Sequence, residues 1–557
     1  MGRPRKPAAS EWSCDFETNN DVEDCRIWSW AAVEVDRNPI RDRANSGTNI
    51  YSFANWCSRE NRKLYFHNLA FDGAFILDHL LNCDYRHTTD RPGRGEFSTV
   101  IDKMGKFYKI TIAWPAGNYT EIVDSLKRIP MPVSAIGPTY GLPISKGSID
   151  YSADRPIGYE PTEDEWDYIF TDVEVVAMAL AIQKEQGMSK LTVGSDAMSD
   201  YKSIITSESF KSLFPLLPLE TDLELRAAYR GGFTYADPRF SRRVVGEGNT
   251  YDVNSLYPSV MYDRKLPYGE PIAVDDIPTD GSLWIASFTF TAKIKKDHIP
   301  CIQVKGSNMF VGTEYLSSID EPLTLAVTSV DWELWNNHYD IDVYMMNGCY
   351  KFKSTKGLFT SYIDKWMKVK TTTDGGQKAI AKLFLNSLYG KFGTNPDKTG
   401  KVPELVDNVV RLKTGPENIG EPIYVPMAAF ITAYARQVTI TAAQKHYGQF
   451  AYADTDSLHL IGDEPDDLDV DPDRLGAWKH EHKFAKALFA RAKCYTELVY
   501  GTSGLEWDTH IAGLPRSVST EVRFSHYFGG TSFTGKLQPV RVRGGVVLRD
   551  VEFQLRM

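Results

Sequence analysis

The string SCDFET sets Asp15 and Glu17 two residues apart in a stretch that reads as a strand, so both carboxylates face the same way. Further acids stand in separate segments: Asp72 in YFHNLAFDGAF, and Asp172 in YIFTDVEVV with Tyr168 one helical turn before it. Hard carboxylate oxygens converging from separate segments suit Mg2+ or Mn2+, and two such ions about 3.5–4 Å apart can stabilise both the attacking and the leaving oxygen of a phosphodiester. That is nuclease chemistry, with Tyr168 available to orient the attacking water. Taken singly, each feature has a plainer reading: DxE alone is weak and better read as an acidic surface strand, and Tyr168 is as readily a buried aromatic with a satisfied hydroxyl.

A second set lies farther along. YDVNSLYP puts Asp252 at a strand end, before a tight turn and Tyr257-Pro258, while YADTDS puts Asp454 and Asp456 around one Thr in a hairpin. Together they offer carboxylates to two Mg2+ ions, one activating a hydroxyl nucleophile and one neutralising a triphosphate. The helix KAIAKLFLNSLYGKF supplies cations: Lys378, Lys382 and Asn386 recur every four residues on one face, while Leu383, Leu385 and Leu388 can turn inward. Lys370, ahead of the polar TTTDGG, offers a third ammonium. The chain carries a net charge of −10, yet from Lys351 to Lys401 lysines far outnumber acids. A polyphosphate partner or a solvated lysine-rich face accounts for that reversal.

These residues need a scaffold. The first part alternates strand-like runs (YSFANW, KLYFHN, FYKITIAW, TEIVDSL) with helical patterns (AFILDHLLN, DVEVVAMALAIQKEQ), which predicts an α/β domain ending near residue 190. Gly231-Gly232 marks a hinge or a place where the backbone meets a ligand closely. A helical pattern broken by TTTDGG runs from about Leu358 to Tyr389, FAYADTDSLHLI reads as strands, and NPDKTGKVP as a loop or hairpin tip. A chain of 557 residues exceeds one hydrophobic core, so a multidomain α/β and α+β protein is expected. No run approaches the roughly 20 apolar residues of a spanning helix and the start lacks a signal sequence, so a cytoplasmic location without a membrane is expected. The seven scattered cysteines, with no CxxC pair, read as reduced thiols. The opening GRPRK reads as a basic tail or a minor-groove hook.

The order DxE, NLxFDG, YxxxD resembles the three exonuclease motifs of proofreading domains in DNA polymerases, which have an RNase H-like fold. DxxSLYP, KxxxNSLYG and YxDTDS likewise resemble the three polymerase motifs of family B, and the long intervals between them resemble the protein-primed branch of the phage phi29 type. The resemblance implies that Asp15, Glu17, Asp72 and Asp172 are the exonuclease carboxylates, assisted by Tyr168 and by Lys146 near the scissile phosphate. Thr18, Tyr65, His67, Asn68, Phe71, Phe75, Ser125 and Leu126 match positions that grip a single-stranded end. Aromatic faces there stack bases without reading sequence. For synthesis it implies Asp252, Val253 and Asp456 at two Mg2+ (or Mn2+) ions with Asp454 nearby. Lys370, Lys378, Lys382 and Asn386 attend the triphosphate, Tyr389 the nascent pair, and Tyr257 the incoming sugar, where its ring excludes a 2′-hydroxyl. Tyr229, Gly231, Gly232 and Phe233 of YRGGF, Ser255, Thr432 and Arg436 of TAYAR, and Lys493 and Tyr495 of KCY match DNA contacts.

By the same resemblance the chain divides into an exonuclease domain (1–190), palm (191–262 and 423–512), a terminal-protein insertion (263–357), fingers (358–393), a strand-displacement hairpin (394–422) and thumb (513–557). The implied partners are primer-template and single-stranded DNA, dNTPs and a terminal protein as heterodimer. The stretch after KCY is shorter than the family's, which bears on thumb size. A stand-alone nuclease has no use for the second motif set, an inactive binding protein would show broken carboxylates, and a reverse transcriptase lacks proofreading motifs. A primer-independent family B enzyme is the nearest rival.

Overall fold

The first sheet of the computed structural model, which describes residues 9–151, 153–304 and 314–555, grows outward from the strand Ser10–Thr18. That strand pairs antiparallel with Ile27–Glu34 and parallel with Arg62–Phe66, which in turn runs parallel to Tyr119–Asp124. Four more strands complete eight, in the order Asn45–Gly47, Ile27–Glu34, Ser10–Thr18, Arg62–Phe66, Tyr119–Asp124, Phe107–Ala113, Glu96–Ile101, Arg86–His87. A parallel centre must be covered on both faces. Helix Glu163–Glu185 packs against the strands Ser10–Thr18 and Ile27–Glu34, opened by a capping box in which the Thr162 hydroxyl accepts from Glu165 N–H and the Glu165 carboxylate accepts from Thr162 N–H. This is the RNase H-like arrangement.

One expected strand is a helix. YSFANW lies in helix Ile50–Ser58, where the Asn49 side chain caps Ser52 N–H and the buried Phe53, Ala54, Trp56 and Cys57 follow helical spacing. Its aromatic content suggested a strand, but alternation is missing.

The second sheet is antiparallel and eight-stranded. Its main path runs Gly504–Ile511, Cys494–Gly501, Trp478–Arg491, Gly248–Val253, Ser457–Ile461, Phe450–Asp454, Thr234–Ala236, with Val244–Val245 also on Trp478–Arg491. Helix Val425–Lys445 lies beneath it, helix Gly375–Phe392 packs on that helix, and helix Thr360–Thr372 packs on Gly375–Phe392. A four-stranded sheet of Leu266–Val274, Tyr339–Thr355, Leu283–Ile294 and Ser318–Thr328 carries helix Ser329–His338. Two hairpins, Lys401–Val406 with Val409–Thr414 and Ser532–Val542 with Gly545–Gln554, pack on each other and on helix Leu69–Asn82. The tip of the first is not NPDKTGKVP. Asp407 and Asn408, with φ of 51° and 59°, make the two-residue turn, and NPDKTG precedes the first strand. The basic GRPRK falls outside the described residues. Among the described residues no helix is long and apolar enough to cross a membrane.

Arg436 locks the long helix to its surroundings. It is 2% exposed, forms a bidentate pair with Asp331 (3.0 and 2.7 Å), and donates to the carbonyls of Arg230 and Gly231. Removing one member of a buried pair strands the other's charge, which costs about 3–5 kcal/mol. Arg436→Ala should therefore lower the thermal midpoint by several degrees in a melting experiment, and an unchanged midpoint would contradict this role.

Candidate functional site: two carboxylate centres

The first centre is a cavity of about 530 Å³ lined by Asp15, Glu17, Asp72, Asp172, Lys146 and Tyr151, with Thr18, His67, Asn68 and Phe71 also on its wall. The four acids arrive on three supports. Asp15 and Glu17 share one face of the strand Ser10–Thr18, Asp72 sits in the first turn of helix Leu69–Asn82, and Asp172 in helix Glu163–Glu185. Asn68 turns the chain into its helix at φ 75°, and its N–H donates to Asp124 Oδ1 (3.1 Å), which also accepts from Leu126 N–H (2.9 Å). Lys146 Nζ bonds Asp172 Oδ2 and lies 5.1 Å over the Tyr168 ring, while the hydroxyls of Tyr168 and Tyr151 are 2.6 Å apart. His67 bridges Ser125 Oγ (3.0 Å) and the Met131 carbonyl (2.8 Å).

These acids crowd one another. Burial first and then the Asp172 charge push the Asp15 carboxyl up to about 7; burial and Asp15 push Glu17 up to about 8. Burial followed by Asp15 raises Asp72, and burial raises Asp172 against the pull of Lys146. One oxygen each of Asp72 and Asp172 is buried with no hydrogen-bond partner in the protein. Unpartnered anionic oxygens and mutual repulsion are what bound divalent cations relieve, so the donor set fits hard metal ions.

The second centre lies at the end of strand Gly248–Val253. Asp252 pairs in register with Ser457, and Val253 N–H donates to the Asp456 carbonyl (2.8 Å), bringing the two acids to one strand end. Burial and then Asp456 push Asp252 up to about 7, and burial raises Asp456. Asp454 is tied differently, accepting from Lys493 Nζ (2.6 Å) and Thr234 Oγ1 (3.0 Å). Thr455 turns between them at φ 66°, and Gly232 lies so close that a Cβ there would meet the Thr455 side chain at 2.7 Å. The close approach at Gly232 is thus to the chain's own Thr455, while a Cβ on Gly231 would meet nothing within 4 Å. Lys370 Nζ donates to Ser255 Oγ (2.9 Å), and its pKa is lowered by burial and then by Lys382 and Lys378. Lys378 and Lys382 of the second helix are thus close enough to Lys370 to act on its charge, Lys378 also meets Asp374 at 3.5 Å, and Asn386 is exposed one turn beyond Lys382. Tyr257 and Tyr389 stack at 4.1 Å. Beside Asp454 opens a cleft of about 1210 Å³ lined in part by Gly232, Tyr315, Arg242, Arg491 and Lys493.

Several expected DNA contacts are interior instead. Tyr65, Phe75, Ser125, Phe233, Thr432 and Arg436 are buried. Phe75 packs where Gly545 passes, Thr432 bonds the carbonyls of its own helix, and Tyr229 backs onto Gly393. Lys493 is occupied by Asp454, and Tyr495 stacks on His510 at 4.9 Å. Conversely, Tyr151, Asp124, Leu537 and Leu548 were not anticipated. Leu537 and Leu548 come from the C-terminal hairpin, which Asn20 holds through Leu548 (2.8 Å to its carbonyl). Tyr151 lies five residues after Lys146, the nearest sequence signal to it.

The raised carboxyls predict a linkage. The unfolded chain ionises these acids near pH 4 and the folded chain only near 7 to 8, so in the ion-free protein stability falls as pH rises between those values. Divalent cations reverse that loss. Mg2+ should raise the thermal midpoint by several degrees at about pH 8 and scarcely at about pH 5, as scanning fluorimetry would read; an equal shift at both would contradict the crowding.

Two carboxylate centres on two sheets fit metal-assisted phosphoryl chemistry, and similarity to known proteins gives the class. Residues 56–474 match the family described as DNA polymerase type B, organellar and viral. The chain is 42% identical to the DNA polymerase of Bacillus phage phi29 (98% of this chain, 99% of that one) and 30% to that of Streptococcus phage Cp-1 (97% and 98%). Solved structures of phi29 DNA polymerase superimpose closely: with primer-template DNA and incoming nucleotide substrates at TM-score 0.92 (41% identity, 98% and 100% covered), and with single-stranded DNA at 0.91 (40% identity, 98% and 100% covered). The chain belongs to the type B DNA polymerases and is a DNA polymerase of the phi29 type.

Proposed function

We propose that the chain extends a primer 3′-hydroxyl at Asp252 and Asp456 and trims it in the 3′→5′ direction at Asp15, Glu17, Asp72 and Asp172. The observation that carries this is the presence, in one chain, of two separated sets of crowded carboxylates, each built on an interior strand paired on both sides. Two Mg2+ ions per centre, when bound, would supply the Lewis acidity that lowers the nucleophile's pKa and neutralises the leaving oxygen. In synthesis, Asp252, the Val253 main chain and Asp456 hold those charges, Lys370, Lys378 and Lys382 orient the triphosphate, and Lys493 steadies Asp454 beside the primer. The stacked Tyr257 and Tyr389 form a floor for the new pair. In trimming, Tyr168 and Tyr151 orient water, Lys146 balances Asp172, and Asn68 and Phe71 hold the frayed end. Primer-template DNA, single-stranded DNA and dNTPs are the partners, as in the phi29 complexes.

The residue ranges then read as exonuclease (1–190), palm (191–262, 423–512), fingers (358–393) and thumb (513–557). The ranges 263–357 and 394–422 are insertions serving a terminal protein and strand displacement, for a phage or linear-plasmid genome. A protein hydroxyl is chemically one more nucleophile at the primer position, so protein priming needs no new chemistry. The test is a primed single-stranded circle with Mg2+ and four dNTPs: products many circle lengths long support the reading, and arrest at one length removes strand displacement from it. On the same template Tyr257→Val should raise ribonucleotide incorporation by about 10- to 200-fold, the worth of a small steric change in a tight pocket. Unaltered sugar selectivity would place the gate elsewhere.

A further inference from the structure

Neither centre uses a group of side chains at the far edge of the second sheet. In the strand ladder Thr250 stands between His459 and His482, and Glu497 faces Asp508 across the next strand pair. Glu497 is fully buried, an uncommon place for a carboxylate without compensation. One of its oxygens meets His459 Nδ1 (2.8 Å) and the Thr250 hydroxyl (3.1 Å), and the other lies 2.8 Å from His482 Nε2. One ligand atom each of His482, Glu497 and Asp508 falls within 4.8 Å of the others.

We propose that His482, Glu497 and Asp508 form a binding site for a transition-metal dication, of which Zn2+ is the best fit, with water as a fourth ligand. An imidazole with two carboxylates is a borderline donor set that suits zinc, whereas Mg2+ takes oxygen ligands and keeps its waters. The supporting contacts have the form such sites need: His459 and Thr250 fix the remaining oxygen of Glu497, and His510 Nε2 bonds Asp508 at 3.1 Å. His482 and Asp508 side chains are 26% and 36% exposed, which leaves an entry path and room for water. Ligand bonds of about 2.0–2.1 Å in a tetrahedron put donor atoms roughly 3.3 Å apart, so the His482–Glu497 pair opens slightly as the ion enters.

The three ligands come from three adjacent strands, Trp478–Arg491, Cys494–Gly501 and Gly504–Ile511, so a bound ion would cross-link the edge of the sheet. Lys493 and Tyr495 lie at one end of those strands, and Tyr495 stacks on His510, the residue that orients Asp508. The ion would stiffen the support of the residues nearest Asp454.

The test uses the full chain with Asp15→Asn and Asp456→Asn, which weakens competing metal binding at the two carboxylate centres. It is stripped with chelator and titrated with Zn2+ in excess Mg2+ by calorimetry, then with Co2+ by visible absorption. One Zn2+ per chain, a raised thermal midpoint and Co2+ bands of four- or five-coordinate geometry are expected. His482→Ser and Asp508→Asn should each weaken binding at least about 10²-fold, more than loss of a supporting contact. Asp508 is partly exposed and Asn keeps its size, so ion-free Asp508→Asn should melt near its parent, whereas ion-free His482→Ser, which takes one partner from the buried Glu497, should melt lower; the loss of Zn2+ binding in Asp508→Asn is therefore the deciding readout. No Zn2+ uptake, or uptake unchanged in both variants, would overturn the proposal and leave a hydrogen-bonded His–carboxylate network.

Discussion

Asp456→Asn should eliminate primer extension while leaving primer degradation intact. The substitution keeps the side chain's size and removes its charge at the point where Asp252 and Asp456 meet, and burial already makes that charge costly to hold without a cation. Metal-assisted charge stabilisation is worth several kcal/mol, which at about 1.4 kcal/mol per decade makes a loss of about 10³-fold or more. Asp454→Asn should cost less, because Lys493 and Thr234 already occupy that carboxylate. The measurement is single-turnover extension of a labelled primer, with degradation followed in a parallel reaction without dNTPs. Retained extension would move the polymerising centre elsewhere.

The second large effect is the mirror image. Asp15→Ala with Glu17→Ala should abolish primer trimming, again by about 10³-fold or more on the same reasoning, and leave extension near the parent rate. The two acids lie on a strand whose neighbours on both sides are unaltered, so the sheet should persist. Removing them also relieves the repulsion that raises Asp72, so the double variant should be at least as stable as the parent in ion-free buffer. Misincorporated ends, which the parent removes, should accumulate. Trimming that survives would exclude the 530 Å³ cavity as its seat.

What was legible in the sequence was local. DxE on a strand, an acid at a strand end before SLYP, and DTD in a hairpin are short strings whose geometry follows from the period of the element that carries them. The lysine face of helix Gly375–Phe392 is likewise a matter of helical spacing. What was not legible depends on residues far apart in the chain. Leu537 and Leu548 reach the first centre from its other end, held by Asn20. Arg436 carried the composition of a phosphate contact but is consumed by Asp331, a partner 105 residues away whose position only the fold determines. Thr432, Phe75 and Tyr65 are buried, which their motifs do not foretell: a motif identifies a residue's neighbourhood, and the fold sets its burial.

The measurement that reaches the central claim most directly is nucleotide idling. A primer-template is supplied with Mg2+ and only the next correct dNTP, and free dNMP is counted against primer ends. If the two centres exchange one primer end within a chain, the parent releases dNMP in large excess over primer. Asp456→Asn releases only the primer's own nucleotides, and the Asp15→Ala, Glu17→Ala variant adds one nucleotide and stops. Continued dNMP release without Asp15 and Glu17, or no excess from the parent, would contradict the account.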